Sequence, residues 1–246
     1  MIGFKYGGVH TNIYGIFAKS VNRPILPSMR KKQITIPGRH GSIDFYNDTY
    51  DKRIIDVDIK FKSDTFSAMR TQARSIALWL YTYSSTKTLI FDDEPDKYYN
   101  ARVLSSVDFS SAMKLGETSI QFECQPIAYA VTSSTQTLAW ALDGDTDSYS
   151  NTGNYSTNAT ITISGTVTNP QITNNTTGLS MTISAALTAQ TLIVDTESYT
   201  IEIDGTNYLH KMSGNWFGLV TGTNTFVFNG TAPNANITFD WVDNWI

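Results

Sequence analysis

Polar and apolar residues alternate along much of this chain, and the commonest period is two. Ile55, Val57, Ile59 and Phe61 share one face while Asp56, Asp58 and Lys60 take the other, as in a half-buried strand. Upstream, Ile34 and Ile36 begin the same pattern until Pro37-Gly38 and Gly41 break it with one fixed φ and two freely rotating positions. The stretch predicts a β-hairpin. Its parts are a strand through Ile34 and Ile36, a glycine-flanked loop carrying Arg39 and His40, a polar turn from Asn47-Asp48 to Asp51, and a returning strand from Ile54 to Phe61.

Residues 1–27 read as short β-like segments, His10 to Tyr14 and Ile16 to Ala18, closed by Pro24 and Pro27. A helix is predicted from about Thr65 to Thr82, capped by Ser63 or Asp64. Phe66, Met69, Ala73, Ile76, Ala77 and Leu80 form its apolar stripe at offsets of three and four. Strands follow at Leu89 to Phe91, Tyr98 to Val103, Val107 to Phe109 and Thr118 to Tyr129. Asp92 to Pro95 read as a turn, Gly116 precedes the last strand, and Pro126 interrupts it. Beyond Ser133–Thr137 helical periodicity is absent. Short strands recur there, at Thr160–Ile163, Met181–Ile183, Thr191–Val194, Tyr199–Ile203, Thr225–Phe228 and Asn236–Phe239, and Asp204-Gly205 signals a hairpin running on to Tyr208–His210. The expected fold class is mainly β. Residues 1–133 are expected to form an α+β domain with one helix, and 134–246 an antiparallel β-sandwich.

Composition fits this. Of 246 residues 41% are hydrophobic and only 16% charged. Cys124 is the single cysteine, which excludes an internal disulfide or a multi-cysteine metal site. The start lacks a basic segment leading into an apolar one, and no apolar run approaches the roughly 20 residues of a membrane span. The expectation is a soluble protein made in a cytoplasm, without a membrane partner. Residues 1–130 hold 17 of the 18 Lys and Arg and 13 of the 22 Asp and Glu, so the net charge is +4 there and −8 in the remainder. That shift argues for two domains with different surfaces. Interleaved acids leave no phosphate-tracking stripe, so no nucleic-acid partner is expected.

Catalytic candidates are few. His10, His40 and His210 are far apart, and no nucleophile elbow, phosphate loop or His-Glu-x-x-His occurs. Cys124 sits in strand alternation and reads as buried and inert. Asp92, Asp93 and Glu94 resemble a cation site or a hydrolase carboxylate pair but read better as a solvated turn. Asp143, Asp145 and Asp147 open like a calcium loop, yet Ser148 stands where that loop needs Gly and Asn154 where it needs Glu. Trp140, Trp216, Trp241 and Trp245 are the side chains a sugar-binding surface would use, and equally ordinary sandwich core residues. No cofactor, metal or catalysis is expected.

Two stretches carry a resemblance: Ile34-Thr-Ile-Pro-Gly-Arg-His-Gly41, and Phe122-Glu-Cys-Gln-Pro126-Ile-Ala-Tyr129 after the helix and a Tyr-Tyr-x-Ala-Arg-Val strand. Over residues 1–130 the order of these pieces resembles the distal tail protein family of siphophages, long non-contractile-tailed bacteriophages. The resemblance implies a homohexameric ring of the first domain at the virion tail tip. Such a ring joins the tail tube protein to tip proteins and receptor-binding proteins of the baseplate hub. It also implies a galectin-like second domain. The sugar-reading residues of galectins find no match, since Asn169-Pro170 is followed by Gln171 and Trp241 by Val-Asp-Asn. Arg30, Lys31, Lys32, Ile36, Arg39 and His40 are the expected interface residues, facing a neighbouring protomer or the lumen. The competing functions are a phage carbohydrate-binding module contacting host wall glycans and a tail-associated hydrolase.

Overall fold

Strands with one apolar face need cover on that face, and in the first half of the chain one helix supplies it. The computed structural model describes residues 3–45, 49–61, 65–81, 85–104 and 117–246. The chain divides into two compact units, Met1–Ala128 with Ile246, and Tyr129–Trp245.

The first unit contains β1 (Phe4–Tyr6), β2 (Val9–His10), β3 (Ile16–Asn22), β4 (Lys32–Ile34), β5 (Ile43–Phe45), β6 (Arg53–Phe61), α1 (Phe66–Leu80), β7 (Lys87–Phe91), β8 (Glu94–Val103) and β9 (Glu117–Cys124). Seven of these strands pair antiparallel in the order β2-β1-β7-β8-β9-β6-β3. Ile55, Val57 and Ile59 of β6 are buried with Phe4, Tyr6, Leu89, Phe91, Ile120 and Phe122. Thr65, not Ser63 or Asp64, caps α1: its hydroxyl accepts from the Ala68 amide at 3.2 Å, and residues 62–64 lie outside the described set. Ala73, Ile76 and Leu80 are buried as expected, but Ala77 is exposed and Trp79 goes inside. At 3.6 residues per turn Trp79 flanks the stripe opposite Ala77. Its large ring fills the gap by stacking on Phe4 and Tyr14, while its Nε1 donates to the Tyr6 carbonyl at 2.9 Å.

Three further expectations change. The return strand of the hairpin is β5, and β6 pairs with β3 and β9 instead. The turn between β7 and β8 is only Asp92-Asp93, so Glu94 and Pro95 belong to β8. His10 to Tyr14 is not a strand but the end of β2 and a 3-10 turn, with the His10 ring accepting from the Asn12 amide. Val107 to Phe109 and Gly116 fall within residues 105–116, outside the described set.

After β10 (Ala128–Ala130) come β11 (Ser134–Trp140), β12 (Asp145–Asn151), β13 (Ala159–Asn174), β14 (Leu179–Ile183), β15 (Ala186–Asp195), β16 (Thr200–Ile203), β17 (Thr206–Asn207), β18 (Met212–Gly214), β19 (Gly222–Trp241) and β20 (Asn244–Trp245). Two long strands, β13 and β19, run through both leaves of a sandwich. The C-terminal half of β19 pairs with β11 and the first half of β13, and its N-terminal half with β12 and the end of β13. At about 3.3 Å per residue a straight strand would hold Phe226 and Phe239 some 40 Å apart. Their rings lie 5.0 Å apart, so β19 folds back on itself. The bends fall at left-handed Asn169 in β13 and Ala232 in β19. Tyr149, stacked 4.2 Å from Phe239, closes the core between the leaves. Asp204 and Gly205 both take positive φ, the type I′ turn their dipeptide predicts, but the strand after them stops at Asn207 and a 3-10 turn takes Leu209–Lys211.

Candidate functional site

The feature of the first unit that its own core does not explain is the two-stranded arm of β4 and β5. Lys32 pairs with Phe45, Gln33 with Asp44 and Ile34 with Ile43, and the loop between them turns at Gly38 and Gly41, both at positive φ. Bonds from Arg30 N to Thr49 O and from Asp51 N to Ser28 O extend the ladder to its root. Residues 28–42 are exposed throughout, so Arg30, Lys31, Lys32, Ile36, Arg39 and His40 all lie at the surface. Met29, Ile34 and Phe45 are exposed with them.

The arm's electrostatics differ from those of the sheet. Elsewhere in the unit Arg23 pairs with Asp93 and Glu94, Lys52 and Arg102 with Glu123, Lys60 with Glu117, and Lys97 with Glu94 and Asp96. Hydrogen bonds from Lys52 and then Arg102 hold the Glu123 carboxyl below its usual range. Arg30, Lys31, Lys32 and Arg39 have no ion-pair partner among the described residues. An exposed hairpin bearing unpaired cations and apolar side chains suits an acidic, partly apolar partner surface.

The residues considered for chemistry are occupied elsewhere. Asp92 binds the His10 ring at 3.0 Å and the Gly3 amide at 2.8 Å, fastening the N-terminal strand. Asp93 and Glu94 are taken by Arg23. His40 sits on the arm, and His210 stacks on Tyr208, so the three histidines stand on separate elements. Burial pushes the Cys124 thiol up to about 12. Asp143 accepts from Gly230 N, Asp145 from Ala141 N and Leu142 N, and Asp147 from Gln136. Each of these carboxylates thus caps a different piece of backbone or side chain. Among the described residues no three metal-ligating side chains converge.

Trp140 and Trp241 are 1% and 6% exposed, inside the sandwich, with their Nε1 atoms bonded to Leu142 O and Asp243. Neither offers a ring face to a sugar. Trp216 is half-buried against the exposed Tyr199 ring, and Trp245 is half-buried in β20. Sequence reasoning missed Ile25, Leu26, Met29 and Phe45 as interface candidates. The available signal was an apolar pair between Pro24 and Pro27 that fits neither a strand nor a helix period.

Residues 17–124 match the family described as the phage tail protein RIFT-related domain. Residues 152–245 match the siphovirus-type tail component, C-terminal domain. The fold is similar to that of the Dit (gp 19.1) protein of phage SPP1, described as a paradigm of the hub adsorption apparatus in Gram-positive-infecting phages. The TM-score is 0.76 at 19% identity, over 100% of both chains. The baseplate of phage P2 in its activated, calcium-bound conformation aligns over 98% of both chains, with a TM-score of 0.45 at 8% identity. No curated protein matches the sequence. The chain is a structural component of a phage tail, built from a tail-protein domain and a siphovirus-type C-terminal domain. It belongs to the distal tail protein family of siphophages.

Proposed function

We propose that this chain is the hub of the distal tail. In this reading a homohexameric ring of the first domain joins the tail tube to the tip and receptor-binding apparatus, and the chain is synthesised in the host cytoplasm and catalyses nothing. Residues 1–133 would build the ring and 134–246 would project from it as a galectin-like module. The observation that carries this reading is the arm, an exposed hairpin whose cations have no ion-pair partner among the described residues and whose apolar side chains Met29, Ile34, Ile36 and Phe45 face solvent. A closed ring uses heterologous contacts, in which an element of one protomer meets a different surface of the next. A hairpin with free strand edges suits that role, by adding to a neighbouring sheet or lying in a groove.

Size-exclusion chromatography with light scattering and negative-stain imaging tests the proposal. The expected result is a six-fold ring that is lost when Gly38–Gly41 is deleted while the monomer stays folded. A ring surviving the deletion would remove the arm from the contact. The glycan-binding alternative now rests on Trp216 and Trp245, because Trp140 and Trp241 are in the core. Glycan retention that depends on Trp216 would favour it.

A further inference from the structure

We propose that Tyr199 and Trp216, two aromatic rings set as a corner in the second unit, form a subsite for a neutral pyranose sugar; this deepens the glycan-binding reading and stands whether or not the hexamer forms. The rings lie 5.2 Å apart, centre to centre, with their planes at 83°. Tyr199 is 58% exposed, whereas Trp140, Tyr149, Phe226, Phe228 and Phe239 are in the core. The indoles of Trp79, Trp140 and Trp241 each donate at 2.9 Å to a carbonyl or carboxylate of their own chain. Half-buried Trp216 differs. Its Nε1 has no acceptor among the described residues, and the Tyr199 hydroxyl has no partner among them either.

Both side chains stand on pinned backbone. Tyr199 ends the turn from β15 to β16, where the Asp195 carboxylate accepts from the Glu197 and Ser198 amides at 2.8 and 3.1 Å. In the same turn the buried Thr196 hydroxyl accepts from Ala159 N and donates to Ala159 O. Tyr199 itself takes a φ of 56°, left-handed backbone that a bulky residue rarely adopts. Strain of this kind gathers at ligand clamps. Trp216 lies between β18 and β19. Before it, Asn215 N donates to Ser180 O at 2.8 Å; after it, Leu219 and Thr157 exchange backbone bonds at 2.8 and 3.0 Å. Phe217 is buried, and Gly218 runs so close to Thr157 that an added Cβ would meet its carbonyl oxygen at 2.5 Å. Aromatic side chains fixed in advance lose little freedom when a ligand arrives.

The chemistry of the corner selects the ligand. The face of an aromatic ring is negative, so it attracts the polarised C–H groups on one side of a pyranose. The free indole N–H and phenol O–H are then donors for its hydroxyls. Exposed Asn215 and Asn158, the latter against Gly218, add uncharged donors and acceptors beside the rings. The charge of the surrounding chain disfavours phosphate-bearing and other acidic polymers, because residues 131–246 hold nine acids and Lys211 as their only cation.

The test screens the full chain against neutral oligosaccharides, chitotetraose, maltoheptaose and lactose among them, and titrates those retained by calorimetry. Tyr199→Gly and Trp216→Ala are titrated alongside, with thermal midpoints by circular dichroism. The expected result is millimolar or tighter binding of a neutral sugar, weakened about tenfold to a hundredfold by each substitution, as loss of an aromatic anchor gives. Tyr199→Gly should do this at an unchanged or higher midpoint, because Gly takes positive φ freely. A merely structural tyrosine would give the opposite pattern, a moved midpoint with sugar binding intact. If a sugar binds Tyr199→Gly as well as the unchanged chain, the corner is overturned and the glycan-binding reading stands on another surface. If no neutral sugar binds the full chain, the glycan-binding reading falls and the corner falls with it. Binding of polyglycerol phosphate or a polyproline peptide in place of sugar, lost in Tyr199→Gly, would overturn the assignment of the ligand.

Discussion

The two units treat their surface groups in opposite ways. In the second unit Asp143, Asp145, Asp147, Asp195, Asp204, Asp240 and Asp243 accept from backbone and side-chain donors, as Asp145 does from Ala141 and Leu142, and the large aromatics Trp140, Tyr149, Phe226, Phe228 and Phe239 are inside. The first unit has an equally buried core around Phe4, Tyr6 and Phe122, yet it holds Ile25, Leu26, Met29, Ile34, Ile36 and Phe45 in solvent beside cations that have no ion-pair partner among the described residues. Both sheets bury one face well, so poor packing does not account for the difference. It lies in the chain between β3 and β6, where the proposed hub reading places the partner contact. Exposed apolar side chains gathered on one segment beside cations suit an interaction site.

The largest effect should come from removing that segment's turn. Deleting Gly38–Gly41 is expected to convert the oligomer wholly to monomer while calorimetry shows both units still melting cooperatively. Next come the two cores. Trp79→Ala and Phe239→Ala should each cost about 3–5 kcal/mol, as large-to-small core changes do. If the units are energetically separate, each substitution lowers one calorimetric transition and leaves the other in place. A joint shift would erase the comparison. Reversing the arm's charge with K31E/K32E should weaken assembly about tenfold at low salt and much less at about 1 M, where the screening length falls to roughly 3 Å.

A smaller effect concerns Glu123. Its folded carboxyl titrates below the unfolded value, so the stability it adds is present above the usual carboxylate range and lost as pH falls through the lowered value. Glu123→Gln should flatten that acid limb by about 1 kcal/mol, because Lys52 and Arg102 are half-exposed and screened. The smallest is at Cys124: the native thiol should resist iodoacetamide at pH 8 and react only after unfolding. Reaction in the native state would place it nearer the surface than its burial allows.

Alternation revealed which face of each strand is buried, and Ile55, Val57 and Ile59 lie where the pattern puts them. It could not reveal which strand pairs with which, because pairing depends on residues far away in sequence. Alternation alone therefore sets β6 against β4, whereas the structure pairs it with β3 and β9. The long strands β13 and β19 read as short pieces for a related reason. At Asn169 in β13 and Ala232 in β19 the chain only bends and goes on pairing, which short windows of alternation do not show. Of the site, the glycine turn and the basic residues were visible as sequence. The exposure of Ile25, Leu26, Met29 and Phe45 was not, since it depends on what the rest of the fold leaves uncovered.

The most direct measurement is the solution mass of the intact chain by light scattering. A hexameric hub would give a species of about six times 27.3 kDa that dissociates when the arm's turn is deleted. A mass of 27.3 kDa at every concentration would contradict it.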